Sequence, residues 1–177
     1  MKKEEIIVAV SGGFDPLHVG HVELFENAKK LGDKLIVILN NDNWVKKKKN
    51  HIFMPENERA DIIKALRMVD EVILTDHEEN PEDMSVTSTL RKVKPHIFAN
   101  GGDRKTHNTP EDALCKELEI EMAFNLGRKI QSSSWLLGEY LEKHNNSDWK
   151  KRPIRPLLLC RRTCMASVIS SSLDGPP

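Results

Sequence analysis

Two short runs of uninterrupted apolar residues, Ile6–Val10 (Ile-Ile-Val-Ala-Val) and Leu35–Leu39 (Leu-Ile-Val-Ile-Leu), constrain the fold more than any other feature of the chain. A strand with one face in water alternates apolar and polar residues, whereas a strand covered on both faces need not. Both runs are rich in β-branched residues and too short for a buried helix. Helical patterns alternate with them. Val19–Lys30 carries Val22, Leu24, Phe25 and Ala28 at helical spacing and stops at Leu31-Gly32-Asp33. Helices are also predicted at Pro55–Met68, Pro81–Val93, Thr109–Leu118 (Thr109 as N-cap, Pro110 at N1) and Ser132–Lys143. Further strands are predicted at Glu71–Thr75, His96–Ala99 and Ile120–Asn125. Strands separated by helices imply βαβ units, so the expectation is an α/β chain with a five-stranded parallel sheet flanked by helices. Such sheets bind ligands beyond the carboxyl ends of their strands.

The residues at those ends are unusual. After the first strand the chain reads Ser11-Gly12-Gly13-Phe14-Asp15-Pro16-Leu17-His18-Val19-Gly20-His21. With Asp15 as helix cap and Pro16 at N1, His18 and His21 fall at N3 and N6 and project from one helix face. A helix N-terminus favours anions through its free N–H groups and dipole, and two imidazoles beside it suit a phosphate-bearing ligand. Gly20 would let that ligand approach closely, and Gly12 and Gly13 would give a tight turn. Two histidines at this spacing with no third ligand make a poor metal site, so no protein-held metal is expected.

Three more segments carry charge or hydroxyls to the same sheet edge. Lys46-Lys47-Lys48-Lys49 after the second strand reads as a loop, either solvated or relieved of mutual repulsion by a polyanion. Arg59 sits in the first turns of the next helix, where it opposes the dipole unless an anion or a neighbouring Glu lies nearby. Asn100-Gly101-Gly102-Asp103-Arg104 follows the fourth strand and suits close approach to a base or ribose, although Gly-Gly-Asp is a common turn. Gly127-Arg128-Lys129-Ile130-Gln131-Ser132-Ser133-Ser134 precedes the last helix. Its serines can cap that helix or, with Arg128 and Lys129, hold a second anion.

Gly13, Phe14, Asp15, His18, Gly20 and His21 resemble the Gly-x-Phe-Asp-x-x-His-x-Gly-His signature of the cytidylyltransferase-like branch of the nucleotidyltransferase superfamily, without a departure. The nearest branches by motif are the glycerol-3-phosphate cytidylyltransferases and heptose-1-phosphate nucleotidyltransferases. The resemblance spans about residues 5–143 and implies a Rossmann-like fold of the HxGH type. It implies transfer of CMP or AMP from CTP or ATP to a phosphorylated sugar or polyol, with release of pyrophosphate. His18 and His21 would bind phosphates and stabilise the transition state, and Lys48, with Lys46 second, would bridge acceptor and triphosphate. A second family lysine would fall at Asn50, a departure. Arg59 would face the site, and Gly101, Gly102 and Asp103 would contact the nucleoside. Ser132, Ser133 and Ser134 match the family's Ser-Thr-Thr positions and, with Arg128, would hold the β- and γ-phosphates, while Gln131 replaces an Ile. Mg²⁺ would travel with the triphosphate, and Asp15 would orient the turn or touch the metal. The resemblance also implies a homodimer. Competing readings are an FMN adenylyltransferase-like enzyme and a non-catalytic nucleotide-binding regulator.

Composition bounds the rest. The 177 residues carry 27 Lys+Arg against 27 Asp+Glu, and only 5% are aromatic, so a general nucleic-acid or membrane-surface binder is not expected. The zero is a sum of unlike parts. Lys151, Arg152, Arg155, Arg161 and Arg162 against Asp174 give residues 151–177 a charge of +4, which leaves −4 on residues 1–150. Two of the three cysteines, Cys160 and Cys164, lie in that basic segment, and Cys115 stands alone before it. The start of the chain lacks an apolar signal segment, so a cytoplasmic protein is expected. The expected organisation is a nucleotidyltransferase domain over 1–145 and a disordered basic tail over 146–177.

Overall fold

A computed structural model of the chain describes residues 5–101 and 109–126, together with Ser133, Trp135 and Gly138. The elements run β1 (Ile7–Gly12), α1 (Val19–Lys29), β2 (Lys34–Leu39), α2 (Asp42–Lys49), α3 (Glu56–Lys64), β3 (Glu71–Leu74), α4 (Thr87–Val93), β4 (Ile97–Ala99), α5 (Pro110–Glu117) and β5 (Glu121–Ala123). The five strands form one sheet in the order β3-β2-β1-β4-β5, and every pairing is parallel. The expected Rossmann-like α/β sheet is therefore present. The order reverses at β1, so the crevice between β1 and β4 is the switch point at which such sheets open a ligand site.

The uninterrupted apolar runs are explained by burial on both faces. Val8 and Val10 of β1 pack with Leu35, Val37 and Leu39 of β2 against Leu24, Phe25 and Ala28 of α1 and Ala60 and Ile63 of α3. The intervening Ala9 and Ile38 face the other way and join Leu90 of α4, Phe98 of β4 and Leu114 and Cys115 of α5. Burial, with Asp112 and Glu111 nearby, raises the Cys115 thiol to about 11, so it stays protonated and inert. Among the described residues no helix is long and apolar enough to cross a membrane.

Several boundaries differ from expectation. The Lys46–Lys49 run is a helix rather than a loop. Asn41 caps α2 by accepting from the Trp44 N–H, and Asn50 ends it in the left-handed region at φ 63. All four lysines then lie in the last turn, where cations offset the helix dipole. The helix expected at Pro55–Met68 is α3, bounded by Glu56 and Lys64, and the one expected at Pro81–Val93 begins only at Thr87. Asp15 and Pro16 do not open α1. The helix begins at Val19 with His18 as N-cap, which moves His21 to N3. The α5 expectation holds to the residue, with Thr109 Oγ1 capping through the Asp112 N–H and Pro110 at N1. Of the last expected helix, only Ser133, Trp135 and Gly138 are described, and they are helical.

Phe98 is fully buried in the second cluster. Phe98→Ala should lower unfolding free energy by about 3–5 kcal/mol, read as a fall in urea midpoint at unchanged slope. The exposed Ile62 should tolerate Ala within about 0.5 kcal/mol.

Candidate active site

The loop from β1 to α1 is folded tightly over the end of the sheet. Phe14 adopts φ 46, a conformation costly for a bulky residue, and its ring lies back over Gly12. A Cβ on Gly12 would meet that ring at 2.8 Å. The ring also lies edge-on to His21 at 4.9 Å and to Phe25 at 5.0 Å, so the loop is pinned to the core of α1. The Asp15–Pro16 peptide bond is cis. Asp15 is fully buried, and both its carboxylate oxygens are taken, by the Phe53 N–H at 2.9 Å and the Met54 N–H at 2.8 Å. It therefore orients two loops against each other, and its two oxygens are already committed.

His18 and His21 stack with ring centroids 3.6 Å apart. The His18 backbone N–H donates to His21 Nδ1 at 3.3 Å. A neutral imidazole that accepts at Nδ1 carries its proton on Nε2, so His21 presents an N–H donor on its far side. His18 Nδ1 is buried with no hydrogen-bond partner, a polar atom that a bound ligand would satisfy. Gly20 serves the same histidine, since a Cβ there would press on the His18 ring at 3.2 Å.

A lysine completes this group, and it is Lys49. Its ammonium donates to the Asp15 carbonyl, and it is half-buried while Lys46, Lys47 and Lys48 are exposed. Burial lowers its pKa, opposed by the Asp15 carboxylate and reinforced by the positive charges of Lys48 and Arg59. Lys48 instead lies over the Trp44 ring, 4.6 Å from its centroid. Helical spacing accounts for the split. Lys49 is one turn beyond the buried Val45, and Lys48 is one turn beyond Trp44. That spacing would have singled out Lys49 had the run been read as a helix.

Arg59 acts from beneath. Its side chain is 0% exposed. Nη1 donates to the Gly13 carbonyl at 2.5 Å and to the Asn40 carbonyl at 2.8 Å, and Nε donates to the Met54 carbonyl at 2.9 Å. Nη2 pairs with Asp42 at 2.5 Å, so the ion pair is made to α2 and not to a neighbouring Glu. These contacts tie together the ends of β1 and β2, the start of α2 and the loop before α3.

From the far end of the chain, Ser133 Oγ donates to the Pro16 carbonyl at 3.0 Å, which brings Ser133 to the histidine turn across 117 positions. Gly101, at the end of β4, lets α1 approach, because a Cβ there would lie 3.1 Å from Leu24. Gly102, Asp103, Arg128, Lys129, Ser132 and Ser134 lie outside the described residues.

The electrostatics follow from burial and crowding of positive charge. Burial, then His18, then Lys49, lower His21 to about 3, and burial followed by Lys49 lowers His18. Both imidazoles are neutral at pH 7 and act as hydrogen-bonding groups beside an ammonium. An unfolded His21 would bind a proton near its ordinary pKa of about 6.5, and the folded one resists protonation. Stability should therefore fall as pH drops from 6.5 toward 3, the range in which the unfolded chain binds the extra proton. The urea midpoint measured across this range should decline less steeply in His21→Gln.

The profile of the cytidylyltransferase-like family matches residues 9–147. An FAD synthase of Pyrococcus abyssi is 37% identical over 127 residues, 71% of this chain and 77% of the relative. One from Ferroglobus placidus is 42% identical over 111 residues, covering 63% and 66%. The bifunctional protein HldE of Nitratiruptor is 36% identical over 121 residues, 67% of this chain but 25% of that longer protein. Among solved structures, a lipopolysaccharide core biosynthesis protein from Thermoplasma volcanium superposes with TM-score 0.55 at 30% identity, over 71% of this chain and 96% of that one. With its matched span running from the first strand past the serine run, the chain belongs to the cytidylyltransferase-like family of nucleotidyltransferases.

Proposed function

We propose that this nucleotidyltransferase moves AMP from ATP to a phosphorylated acceptor, releasing pyrophosphate, and that the acceptor is FMN, the product FAD. The observation that carries the chemistry is the stacked pair His18 and His21 with Lys49 beside them, a neutral-and-cationic donor set around an unpartnered buried nitrogen. The choice of FMN is supported by the FAD synthases, of which this chain covers 77% and 66% at 37% and 42% identity. A sugar or polyol phosphate acceptor, such as heptose 1-phosphate or glycerol 3-phosphate, is the second reading. It is favoured by the likeness to the lipopolysaccharide core biosynthesis protein.

In this reading a phosphate oxygen of the acceptor attacks the α-phosphorus of the nucleotide in line. A new P–O bond forms as the α–β anhydride bond breaks, and pyrophosphate leaves with the electron pair. No protein nucleophile is needed, so the site works by positioning and charge stabilisation. His21 Nε2–H donates to a phosphate oxygen, His18 Nδ1 finds its partner there as a donor, and Lys49 releases the Asp15 carbonyl to meet the developing charge. Arg59 positions the turn, and Ser133, held at the Pro16 carbonyl, faces the leaving phosphates. Mg²⁺ would come bound to the triphosphate. The groups around the turn are imidazoles and cations, which suit phosphate oxygens, and Asp15 is committed to backbone N–H groups. Among the described residues no group of three or more His, Cys, Asp or Glu side chains could hold the ion. A homodimer belongs to the same proposal.

The test is pyrophosphate release from ATP or CTP with FMN, glycerol 3-phosphate and heptose 1-phosphate as acceptors, at micromolar enzyme. FMN with ATP should be the productive pair, with FAD as product. Release with a sugar phosphate and not with FMN would favour the second reading. Nucleotide binding with no release from any acceptor would leave a regulator. His21→Ala should lower turnover about 10²–10³-fold while changing the urea midpoint much less. Lys49→Met should cost more in kcat/KM than Lys48→Met. The reverse order would return the bridging role to Lys48.

A further inference from the structure

Among the described residues six large apolar side chains are exposed, and four of them belong to segments joined to the histidine turn by sequence or by hydrogen bonds. Val19, 61% exposed, lies between His18 and Gly20 at the start of α1. Ile52 and Phe53, 39% and 56% exposed, follow α2 in the loop that the Asp15 carboxylate grips. Trp135, 58% exposed, is two positions past Ser133, whose hydroxyl reaches Pro16. Exposed apolar residues scattered singly need no explanation, but a concentration around a polar site does.

The exposure of Phe53 is built in. Its own N–H is held by Asp15 Oδ2, the next N–H by Asp15 Oδ1, and the Met54 carbonyl by the Arg59 Nε–H. Three hydrogen bonds to two buried charged groups fix the backbone on which the ring stands. The backbone that carries this exposed ring is thus fixed beside the histidine turn before any ligand arrives.

We infer that Phe53, flanked by Ile52 and Val19, is the surface on which the isoalloxazine ring of FMN lies while its phosphate meets His18, His21 and Lys49. The inference rests on the FMN reading above. A flavin is polar at its phosphate, hydroxylated along its ribityl chain and flat and aromatic at its far end. A polar centre with an apolar, aromatic rim matches that order of groups. A sugar phosphate is hydroxylated throughout and would leave the rim unused, since Val19, Ile52 and Phe53 offer no side-chain hydrogen bonds. Stacked or edge-on aromatic contact is the ordinary geometry for such a pair. Phe53 would then set acceptor choice without touching the reacting atoms.

The test is steady-state FAD formation and FMN binding, the latter followed by quenching of flavin fluorescence, by the full chain and by Phe53→Ala, Phe53→Trp and Ile62→Ala. Phe53→Ala should raise KM for FMN and its dissociation constant about tenfold, an amount fitting the loss of one aromatic contact with its buried area. Its kcat and KM for ATP should stay within about twofold of the parent. Phe53→Trp should restore KM and quench bound flavin more strongly, and Ile62→Ala, on the exposed side of α3, should behave as the parent. Unchanged FMN parameters in Phe53→Ala would overturn the inference while leaving FAD synthesis intact. So would an equal rise in KM for ATP, which would mean a distorted turn. A change in sedimentation with unchanged KM would assign the rim to a second copy of the chain, and also overturns it. If the parent forms no FAD at all, the FMN reading fails first, and the inference falls with it.

Discussion

The guanidinium of Arg59 has no access to solvent, yet it is the point through which the site's backbone is held. Burying a cation costs several kcal/mol unless its hydrogen bonds are met, and here three carbonyls and a carboxylate meet them. The carbonyls come from Gly13, Asn40 and Met54, the residues at which β1, β2 and the loop after α2 leave the sheet edge. Without that cation these carbonyls would face one another in an apolar crevice. The strained φ of Phe14 is tolerable for the same reason, since the turn is over-determined by Arg59 beneath it and by the Phe14 contacts to His21 and Phe25 above.

On that frame rests an arrangement of charge that is incomplete in the free protein. Lys49 is half-buried beside two imidazoles that its charge and their burial keep neutral. Of the anions at hand, Asp15 spends both oxygens on backbone N–H groups, and Asp42 answers Arg59. On the proposed function, an entering phosphate would give the cluster its remaining partners. An anion there would also raise the pKa of the imidazoles, so binding strengthens the donors that hold it. Neutral histidines suit this work, because they donate without adding repulsion to a site already positive.

The sheet was legible in the sequence because it rests on local rules. Uninterrupted β-branched runs require two covered faces, and Thr109-Pro110 is a helix start whatever surrounds it. The lysine run was misread by weighing residue type above helical phase. Four lysines read as a loop, although Asn41 and Asn50 cap both ends of α2 and Trp44 and Val45 give it a buried side. Once helical phase is applied, Lys49 turns inward and Lys48 lies on Trp44. Arg59 shows the opposite limit. Its partners Gly13, Asn40 and Asp42 are 17 to 46 positions away. No local pattern distinguishes an arginine that will be entombed by them from one on a helix surface. Likewise Asp15 read as a helix cap because it precedes a proline, whereas its carboxylate serves residues 38 and 39 positions on.

That carboxylate also explains how a shared chemistry can be joined to a particular acceptor. The groups proposed to handle phosphate, namely His18, His21 and the Lys49 ammonium on the Asp15 carbonyl, would be indifferent to what the phosphate is attached to. The loop that carries Ile52 and Phe53 makes no part of that chemistry, and its side chains face outward. Asp15 binds the two together, accepting Lys49 on its backbone and the Phe53 and Met54 N–H groups on its side chain. A change of side chain in the loop therefore leaves these hydrogen bonds in place, because they are made to its backbone. Acceptor preference can then shift by substitution at 52 and 53 while the phosphate centre keeps its geometry, which is what a fold reused for many phosphorylated acceptors requires.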